Sequence, residues 1–253
     1  MKIGIIGATG REGRLITEEA VRRGHEVTAI VRNAEKAASL GVPVIEKDIF
    51  SLTSEDLKGF DAVVSAFGVP AGSPLAFQYE TVGFTLTKLF EQLPDTRLLF
   101  VGGAASLYTD EKMKTRVIES GAIPEAYKAV PYHAWRSYMA LQTSSVNWTY
   151  FSPALTFDPN GERTGSYTLG ANYVIKNKAG ESYISYQDYA IAMVDEIEQG
   201  RFIRKRFTAV SEHPGKESDA PEKSAAAPET PEDEGAAPEA PKPGFFARLF
   251  GRK

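Results

Sequence analysis

From the N-terminus to Phe151, short continuous apolar runs alternate with stretches whose apolar residues recur at helical spacing. The first run, Lys2-Ile3-Gly4-Ile5-Ile6, leads through three glycines into the pattern Leu15-Ile16-Thr17-Glu18-Glu19-Ala20-Val21. Further runs at 26–31, 42–45, 62–67, 97–101 and 146–151 read as strands. Helices are expected at 34–40, with Asn33 placed to cap it, and at 75–93. A short helical turn is expected at 54–57, capped by Ser54, with Glu55 and Asp56 at its favoured first turn. Strands this uniformly apolar are covered on both faces. The expected class is therefore α/β, a doubly wound, mostly parallel sheet. Right-handed crossovers would then place a ligand cleft at the carboxyl ends of the strands.

After Pro153 the pattern changes. Residues 159–170 hold three glycines and alternate polar with aromatic positions, which predicts a loop and an irregular hairpin. Such a small C-terminal subregion would form one wall of a substrate cleft. A helix at 186–199 and a last strand at 206–210 follow.

Composition then shifts twice. Residues 211–241 contain six prolines, nine acids and two bases, too little apolar surface to offset the entropy of ordering, so a disordered linker is expected. Residues 242–253 carry four bases among three phenylalanines and a leucine. On a helix, Phe245, Phe246, Leu249 and Phe250 share one face. That face suits an anionic membrane surface or a groove on a partner protein. The expected division is a domain at 1–210, a linker at 211–241 and a basic amphipathic segment at 242–253.

Charge narrows the classes. A formal net charge of −4 over 253 residues excludes a broadly basic nucleic-acid binder. With no cysteine there is no disulfide, thiolate nucleophile or Cys-ligated metal, and no residue cluster has metal-ligand spacing. The first strand starts at residue 2 with no basic-then-apolar leader before it, and no apolar run reaches the ~20 residues of a membrane span. A cytoplasmic protein is expected, peripheral at a membrane if the terminal segment anchors it.

The most informative segment is Gly7-Ala8-Thr9-Gly10-Arg11-Glu12-Gly13, spaced G-x-x-G-x-x-G between a strand and a helix. Such a turn brings a diphosphate onto backbone N–H groups at a helix start. Gly7 serves the tight turn, Gly10 leaves room for phosphate, and Gly13 lets helix and strand pack closely.

Together with Ile30-Val31-Arg32-Asn33, Lys47-Asp48-Ile49-Phe50, Val101-Gly102-Gly103-Ala104-Ala105-Ser106-Leu107-Tyr108 and Gly161-Glu162-Arg163-Thr164-Gly165, this segment resembles the atypical short-chain dehydrogenase/reductase superfamily. The similarity is to its NmrA-like, NAD(P)H-binding branch of bacterial oxidoreductase-like proteins, and it spans residues 1–210. The resemblance implies a Rossmann-type fold with a nicotinamide dinucleotide held by Gly7, Ala8, Thr9, Gly10, Arg11 and Gly13. It places Asp48 at the adenine and Ala66, Phe67 and Gly68 under the adenosine ribose and phosphates. Gly102 and Gly103 would flank the nicotinamide.

Where NAD-preferring folds carry a carboxylate after the second strand, this chain has Arg32, and Arg11 lies in the glycine loop. Two guanidiniums favour a 2′-phosphate, so NADP(H) is expected over NAD(H), unless both are ordinary solvated arginines.

Typical members of the superfamily use a Tyr with a Lys four residues later. Here Tyr132 is followed by Arg136, Tyr127 by Pro131 and Tyr138 by Gln142. Tyr132 with Arg136 is a candidate catalytic pair or a surface aromatic–Arg stack. Ser106 is a candidate for polarising a substrate oxygen, or a helix cap. His133 reads as a packing residue beside Tyr132 and Trp135. Arg163 is a candidate for holding an anionic substrate group, with an ion pair to Glu162 or Glu181 as the alternative.

Two functions follow. One is an NADPH-dependent reductase passing hydride to a small quinone, flavin or carbonyl. The other is a non-catalytic NAD(P)H sensor whose occupancy alters a partner-binding surface.

Overall fold

The computed structural model describes residues 1–212. The expected division at 211–241 and 242–253, with the apolar face of Phe245, Phe246, Leu249 and Phe250, falls almost wholly outside them. β1 (Lys2–Ile6) turns through the glycine loop into α1 (Arg11–Arg22), followed by β2 (Glu26–Val31) and α2 (Ala34–Ala37). β3 (Val44–Glu46), α3 (Ser54–Leu57), β4 (Ala62–Ser65), α4 (Gln78–Phe90) and β5 (Arg97–Val101) come next. α5 (Ala129–Gln142) leads to β6 (Trp148–Ser152), β7 (Thr156–Asp158), β8 (Thr168–Gly170), β9 (Tyr183–Ser185), α6 (Tyr186–Gln199) and β10 (Lys205–Val210).

The main sheet runs β3-β2-β1-β4-β5-β6-β10-β8, and every neighbouring pair is parallel except β8 with β10. Continuous apolar strands feed two cores because alternate residues point to opposite faces. Ile3, Ile5, Val64 and Leu99 join α1 and α6 on one face. Ile6, Val63, Leu98 and Phe100 join α4 and α5 on the other. This is the expected α/β architecture. β1 sits where the chain reverses direction across the sheet, with β2 on one side and β4 on the other.

One buried ion pair ties the far ends of two elements. Arg97, at the start of β5, meets Glu196 near the end of α6; the two are 6% and 0% exposed. Arg97 also donates to Thr149 Oγ1 and the Glu196 carbonyl, and Glu196 accepts the Phe202 amide at 2.8 Å.

Several boundaries move. The strand of the 42–45 run begins at Val44; Pro43, with no N–H, joins the ladder only through its carbonyl, which accepts the Ala29 amide at 2.8 Å. The helix expected at 75–93 shortens to α4, with 75–77 in a turn. α3 is capped by Thr53 rather than Ser54: the Thr53 amide and hydroxyl both donate to Asp56 Oδ2, at 2.8 and 2.7 Å. Asn33 caps α2 as expected, accepting the Lys36 amide at 2.9 Å.

The hairpin expected within 159–170 does not form. β7 pairs in parallel with β9, while β8 becomes the antiparallel edge of the main sheet. Between them the chain is fixed to helices instead. Asp188, fully buried at the start of α6, accepts the amides of Thr164 and Gly165 at 2.9 and 3.0 Å and the Thr164 hydroxyl at 2.8 Å. Alternation in that stretch reports extended backbone but not which strand it joins.

Candidate cofactor and acceptor site

The glycine loop is set by steric need. Gly7 has φ +78°, and a Cβ there would stand 2.9 Å from the Ala66 carbonyl oxygen, where the loop meets the end of β4. A Cβ on Gly13 would stand 2.3 Å from the Gly7 carbonyl oxygen, so α1 packs on the turn as closely as a glycine allows. Gly10 is the N-cap and has no side chain to satisfy the first helical amides. Those of Arg11, Glu12 and Gly13 find no backbone acceptor among the described residues. A cradle that only glycines fit, with free N–H groups on a helix start, fits a dinucleotide diphosphate. Ala8 is buried beneath it, while Thr9, Gly10 and Arg11 are exposed.

Arg32 stands exposed directly after β2, and neither it nor Arg11 forms an ion pair among the described residues. Asp48 follows β3 and is half-buried, with Oδ1 accepting the Phe50 amide at 3.0 Å. Ala66, Phe67 and Gly68 leave β4 beside the loop, and Phe67 packs edge-on against Tyr79 at 5.5 Å. Gly102 and Gly103 leave β5. Gly102 must be glycine for packing alone, because a Cβ would lie 2.3 Å from the Tyr150 ring. Gly103 donates to the Tyr150 hydroxyl at 3.1 Å, and burial pushes that phenol's pKa upward. Tyr150, Tyr79, Ser65 and Ser137 line a small cleft under these strand ends, between α4 and α5.

Ser106 is not a helix cap. It closes a single 3-10 turn, is 1% exposed, and its hydroxyl accepts from Arg206 Nη1 at 3.0 Å. Tyr132 packs edge-on against His133 and Trp135, at 5.3 and 6.4 Å. Burial raises the Tyr132 phenol pKa; Arg136 opposes the rise and Glu80 adds to it. Arg136 instead binds Glu80 at 3.1 Å, and His133 Nδ1 lies 2.9 Å from the same carboxylate. Arg136 thus hydrogen-bonds Glu80 while its charge still pulls the Tyr132 phenol pKa down against burial.

Arg163 finds an acid far from it in sequence. It reaches Glu19 on α1 at 2.9 Å. Burial alone would raise the Glu19 pKa, but bonds from Arg22, Arg163 and Arg23 prevail and hold it at about 2. Segment 161–165 thus straps the wall after β7 to α1 and α6. Among the described residues no group of His, Asp or Glu is placed to hold a metal ion, and no helix is long and apolar enough to cross a membrane.

Residues 7–199 match the family described as NAD(P)H-binding. The chain belongs to the NAD(P)H-binding family. Its relatives include the uncharacterized protein YwnB of Bacillus subtilis (strain 168). YwnB is 49% identical over 213 residues, which is 84% of this chain and 99% of YwnB. Among solved structures, a Streptococcus pneumoniae TIGR4 protein named as a candidate NADH-flavin reductase is 42% identical, with TM-score 0.76 over 84% of this chain and all of that one (100%). A candidate epimerase from Bacteroides thetaiotaomicron is 36% identical, with TM-score 0.73 over 84% and 98% of the two chains. The anaerobilin reductase ChuY of Escherichia coli O157:H7, 16% identical with TM-score 0.62 over 86% and 99%, shares the fold. This NAD(P)H-binding protein is of the atypical short-chain dehydrogenase type.

Three features escaped the sequence reading: Glu12, Arg116 and Arg206. Glu12 is 7% exposed, and neither carboxyl oxygen has a partner among the described residues. Burial pushes its pKa well above the usual carboxylate range, with the phenols of Tyr186 and Tyr189 close enough to sense its charge. A charged residue between two glycines that pack a helix onto a strand was the available signal.

Glu12 has a consequence for stability. Between the usual carboxylate value of about 4.3 and the raised one, the folded chain keeps a proton that the unfolded chain has released. Stability therefore falls as pH rises across that window. Glu12→Met should unfold in urea with ~1–3 kcal/mol more stability than the wild type at pH 8, shrinking toward nothing near pH 4. A gain independent of pH would assign the effect to packing.

Proposed function

We propose that the chain is a reductase that takes NADPH in preference to NADH and passes hydride to a small quinone, flavin or carbonyl acceptor. The observation that carries this reading is the uncapped glycine cradle of α1, flanked by Arg11 and Arg32, neither in an ion pair among the described residues. The likeness to the pneumococcal protein named as a candidate NADH-flavin reductase supports the redox class. The bound dinucleotide supplies hydride. The chain's own residues bind and orient it: α1 amides take the diphosphate, Arg11 and Arg32 the 2′-phosphate, Asp48 the adenine. The backbone of Gly102 and Gly103 flanks the nicotinamide, and Gly103 leaves room for its approach.

Direct hydride transfer to a flavin or quinone asks little of a proton relay, which suits a site where Arg136 is bound to Glu80. That same pairing favours the second reading, an NAD(P)H sensor. Turnover decides between them. The purified chain should oxidise NADPH with at least one acceptor from a panel of quinones, flavins and small carbonyls, and Gly10→Arg should abolish it. Tight NADPH binding without turnover across the panel would favour the sensor.

Cofactor choice has its own test. Arg32→Asp should weaken NADPH binding at least tenfold and improve NADH binding, measured by nucleotide fluorescence. Equal losses for both nucleotides would remove Arg32 from the 2′-phosphate.

A further inference from the structure

Two guanidiniums converge on one carbonyl oxygen in the loop that leaves β5. Ser106 O accepts from Arg116 Nη1 at 2.8 Å and from Arg206 Nη1 at 2.9 Å. Arg206, on β10, is 4% exposed. Its five N–H groups all meet neutral acceptors: the Ser106 carbonyl and hydroxyl, and the Asn172 carbonyl and side-chain oxygen. Its guanidinium lies 4.8 Å from the centre of the Tyr138 ring.

Arg116 is half-buried and held differently. It donates to the Tyr108 hydroxyl at 2.9 Å and lies over the rings of Tyr108 and Trp135, at 4.2 and 5.7 Å. Glu119 accepts Arg116's backbone amide at 3.0 Å and forms no ion pair with its guanidinium. Neither arginine has a carboxylate partner among the described residues. Arg116 Nε and one N–H on each of its Nη atoms are left without a protein acceptor there.

An oriented guanidinium with spare donors, backed by a second uncompensated charge, is arranged to take up an anion. Its place matters as much as its charge. Gly102 and Gly103 precede it on the same loop at the carboxyl end of β5, where doubly wound folds bind ligands. Trp135 carries the aromatic row on to Tyr132.

We propose that Arg116 is the specificity residue of the acceptor site. It selects a planar acceptor bearing a phosphate or carboxylate group, and Arg206 positions the Ser106 carbonyl against which Arg116 is held. The proposal rests on the reductase reading and names its substrate class.

Flavin mononucleotide and riboflavin share a ring system and differ by one phosphate, so they isolate the anionic group. The wild type should show a KM for flavin mononucleotide at least tenfold below that for riboflavin, with similar kcat. Arg116→Gln should reduce that ratio below threefold, and Arg116→Lys should retain part of it. NADPH titration of each variant confirms that it is folded. A wild type that treats the two flavins alike, or an Arg116→Gln that keeps the preference, overturns the proposal.

If neither flavin is reduced while NADPH still binds, the reductase reading is judged separately, by turnover of the quinones and carbonyls of the panel. Flavin fluorescence titrations in the presence of NADP⁺ then decide the anion site. Flavin mononucleotide binding weakened tenfold in Arg116→Gln supports it, and equal or undetectable binding of both flavins overturns it.

Discussion

Gly13→Ala should weaken NADPH binding at least a hundredfold in a fluorescence titration while the chain stays folded. The added methyl would stand 2.3 Å from the Gly7 carbonyl oxygen and 2.9 Å from its carbon. Both are backbone atoms and cannot rotate away. Either α1 backs off or the turn opens, and each displaces the amides of Arg11, Glu12 and Gly13 from a common focus. The turn is closed by the Gly10 amide donating to that same Gly7 oxygen at 2.9 Å, so it has no slack. A hundredfold is ~2.7 kcal/mol, about what one or two misaligned hydrogen bonds to a charged phosphate cost. Overpacking itself costs ~1–3 kcal/mol, which a domain of ordinary stability survives. Affinity within threefold of the wild type would move the diphosphate away from this helix.

Glu196→Ala should lower stability by ~3–5 kcal/mol, because it leaves the Arg97 guanidinium buried without its counter-charge. For a domain of this size that is a fall in melting temperature of about 10 °C. The loss has a second part, since the Phe202 amide loses its acceptor in the turn that leads to β10. NADPH affinity should be unaffected. The pair joins the amino end of β5 to the far end of α6, at the opposite end of the strands from the cofactor cradle. Thermal melts and nucleotide titrations on the same variant separate the two effects. A drop under 1 kcal/mol would mean that water enters and solvates Arg97.

Much of the fold was legible because its signals are local. The β1 run, the glycine triplet and the amphipathic pattern of α1 each need only neighbouring residues to read, and α6 matched its expected bounds throughout. The cofactor cradle was legible for a similar reason, since Gly13 answers a steric demand from nearby Gly7, although Gly7 also answers the Ala66 carbonyl at the distant end of β4. What failed was long-range. Arg163 chose Glu19, 144 positions away, over the acids near it in sequence. Ser106 and Arg206 meet across 100 residues, which no spacing rule anticipates. The partner strands of β7 and β8 depended on which edges the finished sheet left open. Glu12 stands apart: its position was plain, but its burial follows from how α6 closes over α1.

The rim of the sheet carries one more consequence. Both outermost strands, β3 and β8, are three residues long, one preceded by Pro43 and the other ending in Gly170. A stray extended chain would find too few free rungs on either side to bond to, and proline and glycine weaken the register further. Short edges thus work against edge-to-edge polymerisation of the eight-stranded sheet, and this protection comes from where its strands stop.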